Sequence, residues 1–150
     1  MMNFYEATES DLEGVVDLFN AYRMFYNQPA NSVAARDFIR NRIRVRDSVI
    51  FVAKDQLEYI GFVQLYPTFS SISMKKAWIL NDLYVVDTAR RQGVAQRLIE
   101  IAIGLCEKTE AAYLTLETAS SNVHAKKLYE KNDFIHDEAF EHYQLSFNFT

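Results

Sequence analysis

Residues 81–96, NDLYVVDTARRQGVAQ, restrict the fold more than any other stretch of this 150-residue chain, because they oblige a strand to turn sharply into a helix. From Leu80 to Val86 the chain is rich in β-branched, aromatic and leucine residues and reads as a strand buried on at least one face. After Gly93, the apolar residues Val94, Leu98, Ile101, Ala102 and Leu105 recur at helical spacing. Gly93 can take a backbone conformation closed to residues with a Cβ and admits a close neighbour, while Ala95 keeps the first helical turn narrow. Such a turn exposes unpaired N–H groups beside the positive end of the helix dipole, which is a phosphate site. Arg90 and Arg91 are placed to reinforce it. The plain alternative is a tight turn with two solvated arginines.

The rest of the chain is read around this unit. Residues 3–7 form a short opening strand, and the spacing of Ser10, Asp11, Leu12 and Glu13 predicts a capping box. A helix with Leu12, Val15, Val16 and Phe19 on one face then runs to about Tyr26, since Gln28 precedes Pro29. Its aromatic end, Tyr22 to Tyr26, either packs in the core or walls an acceptor pocket. Ser32 caps a second helix through about Arg44, and Arg36, Arg40, Arg42, Arg44 and Arg46 read as a solvated face with no chemical role. Residues 48–54 and 59–66 suit an antiparallel hairpin, with Gly61 marking a bulge and Pro67 ending the second strand. A loop at residues 70–73 precedes the central strand at 78–86. A helix at 94–108 leads to a strand at 112–117, the order of a crossover unit or of two strands splayed at that point. A helix over 123–131 follows, with Asn132 suited to a left-handed cap, and residues 134–137 and 143–149 read as a closing pair of strands. There is no internal repeat or linker, so residues 1–150 are expected to form one domain.

Composition excludes several functions. A net charge of −4 and a pI near 5.4 argue against a nucleic-acid or membrane partner and favour cationic ones. Cys106 is the only cysteine, which rules out an intrachain disulfide and a thiolate zinc cluster; within its helix it reads as a packed thiol. His124, His136 and His142 are too scattered to suggest a metal site. Neither a basic start with a long apolar run nor a span of about 20 apolar residues is present, so a cytoplasmic protein is expected.

A second stretch carries chemistry: Asn122-Val123-His124-Ala125-Lys126-Lys127-Leu128-Tyr129, continuing to Phe134. Together with the glycine turn it resembles the GNAT superfamily of N-acetyltransferases, which move an acetyl group from acetyl-CoA to an amine. The resemblance is close over about residues 76–135. The family motif Arg/Gln-x-x-Gly-x-Gly/Ala, which holds the CoA pyrophosphate, is matched by Arg90, Arg91, Gln92, Gly93, Val94 and Ala95. Its motif Asn-x-x-Ala-x-x-Leu-Tyr-x-x-x-Gly-Phe is matched by Asn122, Ala125, Leu128, Tyr129 and Phe134, with Asp133 in place of the glycine. The implied fold is α/β with a mixed, mostly antiparallel sheet, two strands splayed at the cofactor site and about four flanking helices. The implied co-substrate is acetyl-CoA, with no metal.

Direct acetyl transfer requires an unprotonated amine, a polarised thioester carbonyl and a proton for the departing thiolate. An amine with a pKa near 10 is mostly charged at neutral pH, so a carboxylate must help remove its proton, and Asp82 and Glu117 are the candidates. Asp82 can equally be a structural carboxylate held by backbone donors. A phenol is a suitable donor to a thiolate, and Tyr129 takes that role in the resemblance. The resemblance further implies that the backbone of Leu83, Tyr84 and Val85 polarises the carbonyl and pairs with the pantetheine arm, and that Asn122 contacts the same arm. Tyr22 and Tyr26, with Asp82, are the candidate acceptor-binding residues.

The run from Leu80 to Val85 also looks like the polyamine and histone acetyltransferases, although polyamine enzymes often place two acidic residues where this chain has Asn81 before Asp82. Polyamines, protein lysines, lysine-like amino acids and aminoglycosides all remain open as acceptors, and so does a homodimer. Two other classes compete: a non-catalytic acyl-CoA sensor, which would keep the phosphate turn but not need Tyr129, and a scaffold that binds no nucleotide.

Overall fold

The computed structural model describes residues 1–149 and separates into two compact units, residues 1–117 and the part beginning at Thr118. In the first unit, five strands lie side by side in sequence order: β1 (Met2–Glu6), β2 (Val49–Asp55), β3 (Glu58–Ser70), β4 (Lys75–Val85) and β5 (Leu114–Thr115). The pairs from β1 to β4 are antiparallel, and β4 with β5 is parallel. Helices α1 (Leu12–Phe25) and α2 (Ser32–Val45) precede β2, and α3 (Val94–Lys108) joins β4 to β5. The second unit carries α4 (Val123–Lys131).

The sheet separates two cores. On one face Val63, Leu65, Trp78, Leu80 and Val85 pack with Val94, Leu98 and Ala102 of α3. On the other, Ile50, Val52 and Phe62 pack with Val15, Val16 and Leu18 of α1 and Ala35 and Ile39 of α2. Gly61 lets α3 come close: a Cβ there would meet the Tyr84 carbonyl oxygen at 3.0 Å and Val94 Cγ1 at 3.2 Å. The bulge predicted at Gly61 lies beside it, where Ala53 pairs with Gly61 and Lys54 with Tyr59, leaving Ile60 as the extra residue.

A second bulge matters more. Gln64 pairs with Asp82 but Leu65 pairs with Leu80, so Asn81 is unmatched on β4. Side chains alternate between faces along a strand, and one extra residue inverts the alternation. Leu80 therefore faces α3, whereas Asp82, beyond the bulge, lies beside Gln64.

Several expectations are corrected. The first helix is entered through a capping box of Thr8 and Asp11 rather than of Ser10 and Glu13, and the cap of α2 is Asn31, whose side chain accepts from the Ala34 N–H at 3.1 Å. Pro67 does not end β3: it pairs with Trp78, and the strand continues to Ser70. Four of the arginines read as solvated are paired. Arg36 makes a two-point contact with Glu13 at 2.9 and 2.6 Å, Arg44 meets Glu9, Arg42 meets Asp47 and Arg40 meets Asp37. These pairs are largely exposed and each contributes no more than about 1 kcal/mol. The strand expected at 112–117 shrinks to Leu114–Thr115 because β5 meets β4 over two residue pairs only. The expected closing strands at 134–137 and 143–149 do not form, and residues 135–149 hold no helix or strand. Periodicity predicts a strand, but a strand exists only where a second one supplies its hydrogen bonds.

Candidate active site

The turn after β4 is built as its residue types require. Arg91 and Gly93 are both left-handed, at φ 64° and 79°. Nothing lies within 4 Å of the position a Gly93 Cβ would occupy, so open space, not a crowded neighbour, surrounds the glycine. Gly93 is the N-cap of α3 and no side chain caps that end, which leaves the amides of Val94 and Ala95 facing outward with the helix dipole behind them. Arg90 and Arg91 differ in what they do. Arg90 braces the turn: its Nε donates to the Val85 carbonyl at 3.1 Å, its guanidinium pairs with Asp87 and it lies over the Phe25 ring. Arg91 is exposed and has no ion-pair partner among the described residues. Gln92 donates to the Thr88 carbonyl at 3.3 Å.

Beside this turn, β4 has a free edge. Its pairing with β5 ends at Ile79 and Thr115, while Leu83, Tyr84 and Val85 pair on their other side with Val63, Phe62 and Gly61. Outward N–H and C=O groups from Leu80 to Val85 thus have no strand partner, and buried or shielded groups of that kind call for one.

Asp82 sits at the bulge, 4 % exposed. Gln64 Nε2 donates to its Oδ2 at 2.7 Å, Asn81 Nδ2 to its Oδ1 at 3.2 Å, and the Tyr22 hydroxyl hydrogen-bonds it as well. Burial holds its carboxyl above the usual carboxylate range, and these donors only partly offset that. The expected backbone donors are thus replaced by side chains. Gln64, fully buried, accepts from Ser48 Oγ at 3.2 Å, so a chain of hydrogen bonds runs from Ser48 through Gln64 to Asp82. Sequence reasoning did not single out Gln64; the available signal was one amide in the otherwise apolar run Gly61-Phe62-Val63-Gln64-Leu65.

Tyr22 lies beside Asp82, and Tyr26 packs against Tyr22. The Tyr22 hydroxyl reaches the Asn81 carbonyl at 3.4 Å, and its ring packs against Tyr26, Phe62 and Tyr84 at 5.0, 5.9 and 6.4 Å. Phe25 extends this aromatic wall to Tyr84. Tyr66 feels Asp82 too, burial first and the Asp82 charge second pushing its phenol up to about 12. Glu117 is exposed and lies two residues beyond β5 rather than on it. Cys106 behaves as a packed thiol, pushed up to about 11 by burial and by Glu107.

In the second unit, Asn122 caps α4, its Oδ1 accepting from the Ala125 N–H at 3.2 Å. Tyr129 lies half-buried on that helix with its ring 5.7 Å from Phe134. The left-handed residue after α4 is Asp133, at φ 68°, and not Asn132, at φ −98°. Asp133 therefore takes the conformation of the motif glycine, which aspartate tolerates better than most residues. Among the described residues no cluster of three or more His, Cys, Asp or Glu could hold a metal, and no helix is long and apolar enough to cross a membrane.

The first unit is thus a mixed five-stranded sheet with helices on both faces, opened beside a glycine turn at a helix start. The chain belongs to the acetyltransferase (GNAT) family, whose family model matches residues 15–134. It is 44% identical over 145 residues to the uncharacterized N-acetyltransferase YhfO of Bacillus subtilis (strain 168), covering 97% of each chain. It is 33% identical over 121 residues to a probable acetyltransferase of Haemophilus influenzae, covering 80% of this chain and 83% of that one. The crystal structure of a probable acetyltransferase superposes with a TM-score of 0.93 at 38% identity over 99% of both chains.

Proposed function

We propose that this acetyltransferase, with residues 1–150 acting as one catalytic domain in the cytoplasm, transfers an acetyl group from acetyl-CoA directly to a primary amine carried on a flexible alkyl chain, as in a polyamine or a lysine side chain. The observation that carries this is the open, left-handed turn at Gly93, leading into an uncapped helix start beside an unpaired strand edge. Outward amides from Gly93 to Ala95 suit a pyrophosphate, with Arg91 adding charge and Arg90 and Gln92 holding the turn in shape. The free edge at Leu83, Tyr84 and Val85 suits an amide-bearing arm such as pantetheine, and Asn122 is the further residue for that arm.

Acetyl-CoA supplies the activated acetyl thioester. The chain's own residues supply the rest. A backbone N–H on the Leu83 to Val85 edge polarises the carbonyl. Asp82, held basic by burial, takes the amine's proton through water; Glu117 is the second candidate for that step. Tyr129 donates a proton to the departing thiolate. Tyr22, Tyr26 and their aromatic neighbours suit the aliphatic stem and the positive charge of the arriving amine.

A screen of amines, amino acids and aminoglycosides with acetyl-CoA, read by thiol release, tests this function. Turnover confined to alkyl primary amines is expected. Acetylation of neutral or anionic acceptors alone would remove the amine assignment, and a protein that binds acetyl-CoA yet turns over no acceptor would be a sensor instead.

A further inference from the structure

The sheet's interior holds a polar chain that packing does not require. Gln64 is fully buried in β3, two residues after Phe62 of the core under α1 and α2 and one before Leu65 of the core under α3. Burying an amide is unfavourable unless its donors and its acceptor are met. An apolar pair in place of Gln64 and Asp82 would join β3 to β4 at least as well. The stability of the sheet therefore does not account for this cross-strand pair.

The direction of each hydrogen bond in the chain follows from one charge. An ionised carboxylate only accepts, so Gln64 has to turn its Nε2 toward Asp82 Oδ2, at 2.7 Å. Its Oε1 then points away and needs a donor, which is the Ser48 hydroxyl at 3.2 Å, on the bend just before β2. Asn81 Nδ2 and the Tyr22 hydroxyl bond the same carboxylate. A carboxylate has about four acceptor positions, so the donors Gln64, Asn81 and Tyr22 leave about one open. Burial favours the protonated acid, and Gln64 is the first of the donors that oppose it. The titratable groups around Asp82 are Tyr22 on α1 and Tyr66 on β3, with Arg42 on α2 and the following Asp47 acting on the same Tyr66 phenol.

We infer that Gln64 and Ser48 are positioning residues for Asp82: Ser48 fixes which end of the Gln64 amide faces the carboxylate, and the amide holds that carboxylate as an anion in one orientation, its remaining acceptor position free for an arriving proton. The inference rests on the reading of Asp82 as the base, and both residues act only through it. Without the Ser48 hydroxyl the amide can turn over, and its carbonyl oxygen against the carboxylate favours the protonated acid.

The test is the titration of the Asp82 side-chain carboxyl in the full chain, followed by its carbon-13 chemical shift in aspartate-labelled protein and assigned by its loss in Asp82→Asn. The expected result is a midpoint raised by about one pH unit in Gln64→Met, raised by less in Ser48→Ala and unchanged in Ser48→Thr, which keeps the hydroxyl. Ser48 is only half-buried, so its two variants decide the matter where Gln64→Met does not fold. A midpoint that stays in place in folded Gln64→Met or in Ser48→Ala overturns the inference. A shift in Ser48→Thr equal to that in Ser48→Ala overturns it too, because the effect then comes from packing and not from the hydroxyl. Acetylation of spermidine judges the underlying reading separately: Asp82→Asn as fast as the parent removes Asp82 as the base, whatever the titrations show.

Discussion

Two buried aspartates answer to pH with opposite signs. Asp82 has a folded pKa above its unfolded one, so its contribution favours folding below the unfolded pKa and is lost as pH rises through the folded pKa. At neutral pH the chain therefore keeps this charge at a cost. Asp82→Asn should melt at a higher temperature than the parent at pH 8, with the difference fading near pH 4, about where a free carboxyl protonates. The same substitution should slow acetyl transfer by about 10²-fold without changing acetyl-CoA affinity, the cost of removing a general base. Calorimetric scans at both pH values and titrations with acetyl-CoA check the two halves. Asp11 runs the other way. Burial pushes it up, but hydrogen bonds from the Thr8 N–H, Tyr59 and Tyr5 and the charge of Lys54 together hold it below the usual range. Its contribution is present above the unfolded pKa and lost as pH falls through the folded one. Both phenols donate to Asp11 Oδ1, at 2.8 and 2.7 Å, so Asp11→Ala should destabilise by about 2–3 kcal/mol in urea unfolding at pH 7. Asp82 was legible because a carboxylate inside an apolar strand is conspicuous. The Asp11 clamp was not, since its two tyrosines lie 6 and 48 positions away and only the fold brings them together.

At the scale of elements, the proposed phosphate site puts the test of acetyl-CoA binding at the start of α3. The space over Gly93 is open, so Gly93→Glu should fold, at a cost of about 1 kcal/mol for a side chain in the left-handed region, yet bind no acetyl-CoA in isothermal titration. Unchanged affinity in the folded variant would dismiss the turn as a phosphate site. On α4, Tyr129→Phe should lower turnover by about 10²-fold with little change in acetyl-CoA affinity. Stopped-flow measurement of thiol release separates the two effects. The helices α3 and α4 begin and end where periodicity and the glycine predict, because helices are specified locally. Strand partners are not local. The length of β5, the run of β3 through Pro67 and the unpaired chain end all depend on what lies alongside, which no stretch of sequence states about itself.

For the molecule as a whole, the proposed amine acceptor would meet a net charge of −4 and the aromatic wall beside Asp82, so that its ammonium is the species attracted and its neutral amine the species that reacts. Turnover should therefore climb to about pH 8–9, as more of the amine becomes neutral, and the KM for amine should rise with added salt. A flat salt response in steady-state kinetics would show that the overall charge plays no part. The extra residue in β4 governs all of this by arithmetic. Asp82 and Tyr84 lie on one side of the sheet and Leu83 and Val85 on the other only because Asn81 has no opposite number on β3. The identity of residue 81 is thus far less constrained than its existence. A point substitution there leaves the count of residues intact, whereas a single-codon deletion would turn the carboxylate into the leucine core and carry the aliphatic residues toward the face of Tyr22, inverting the strand's two sides without altering one of its other side chains.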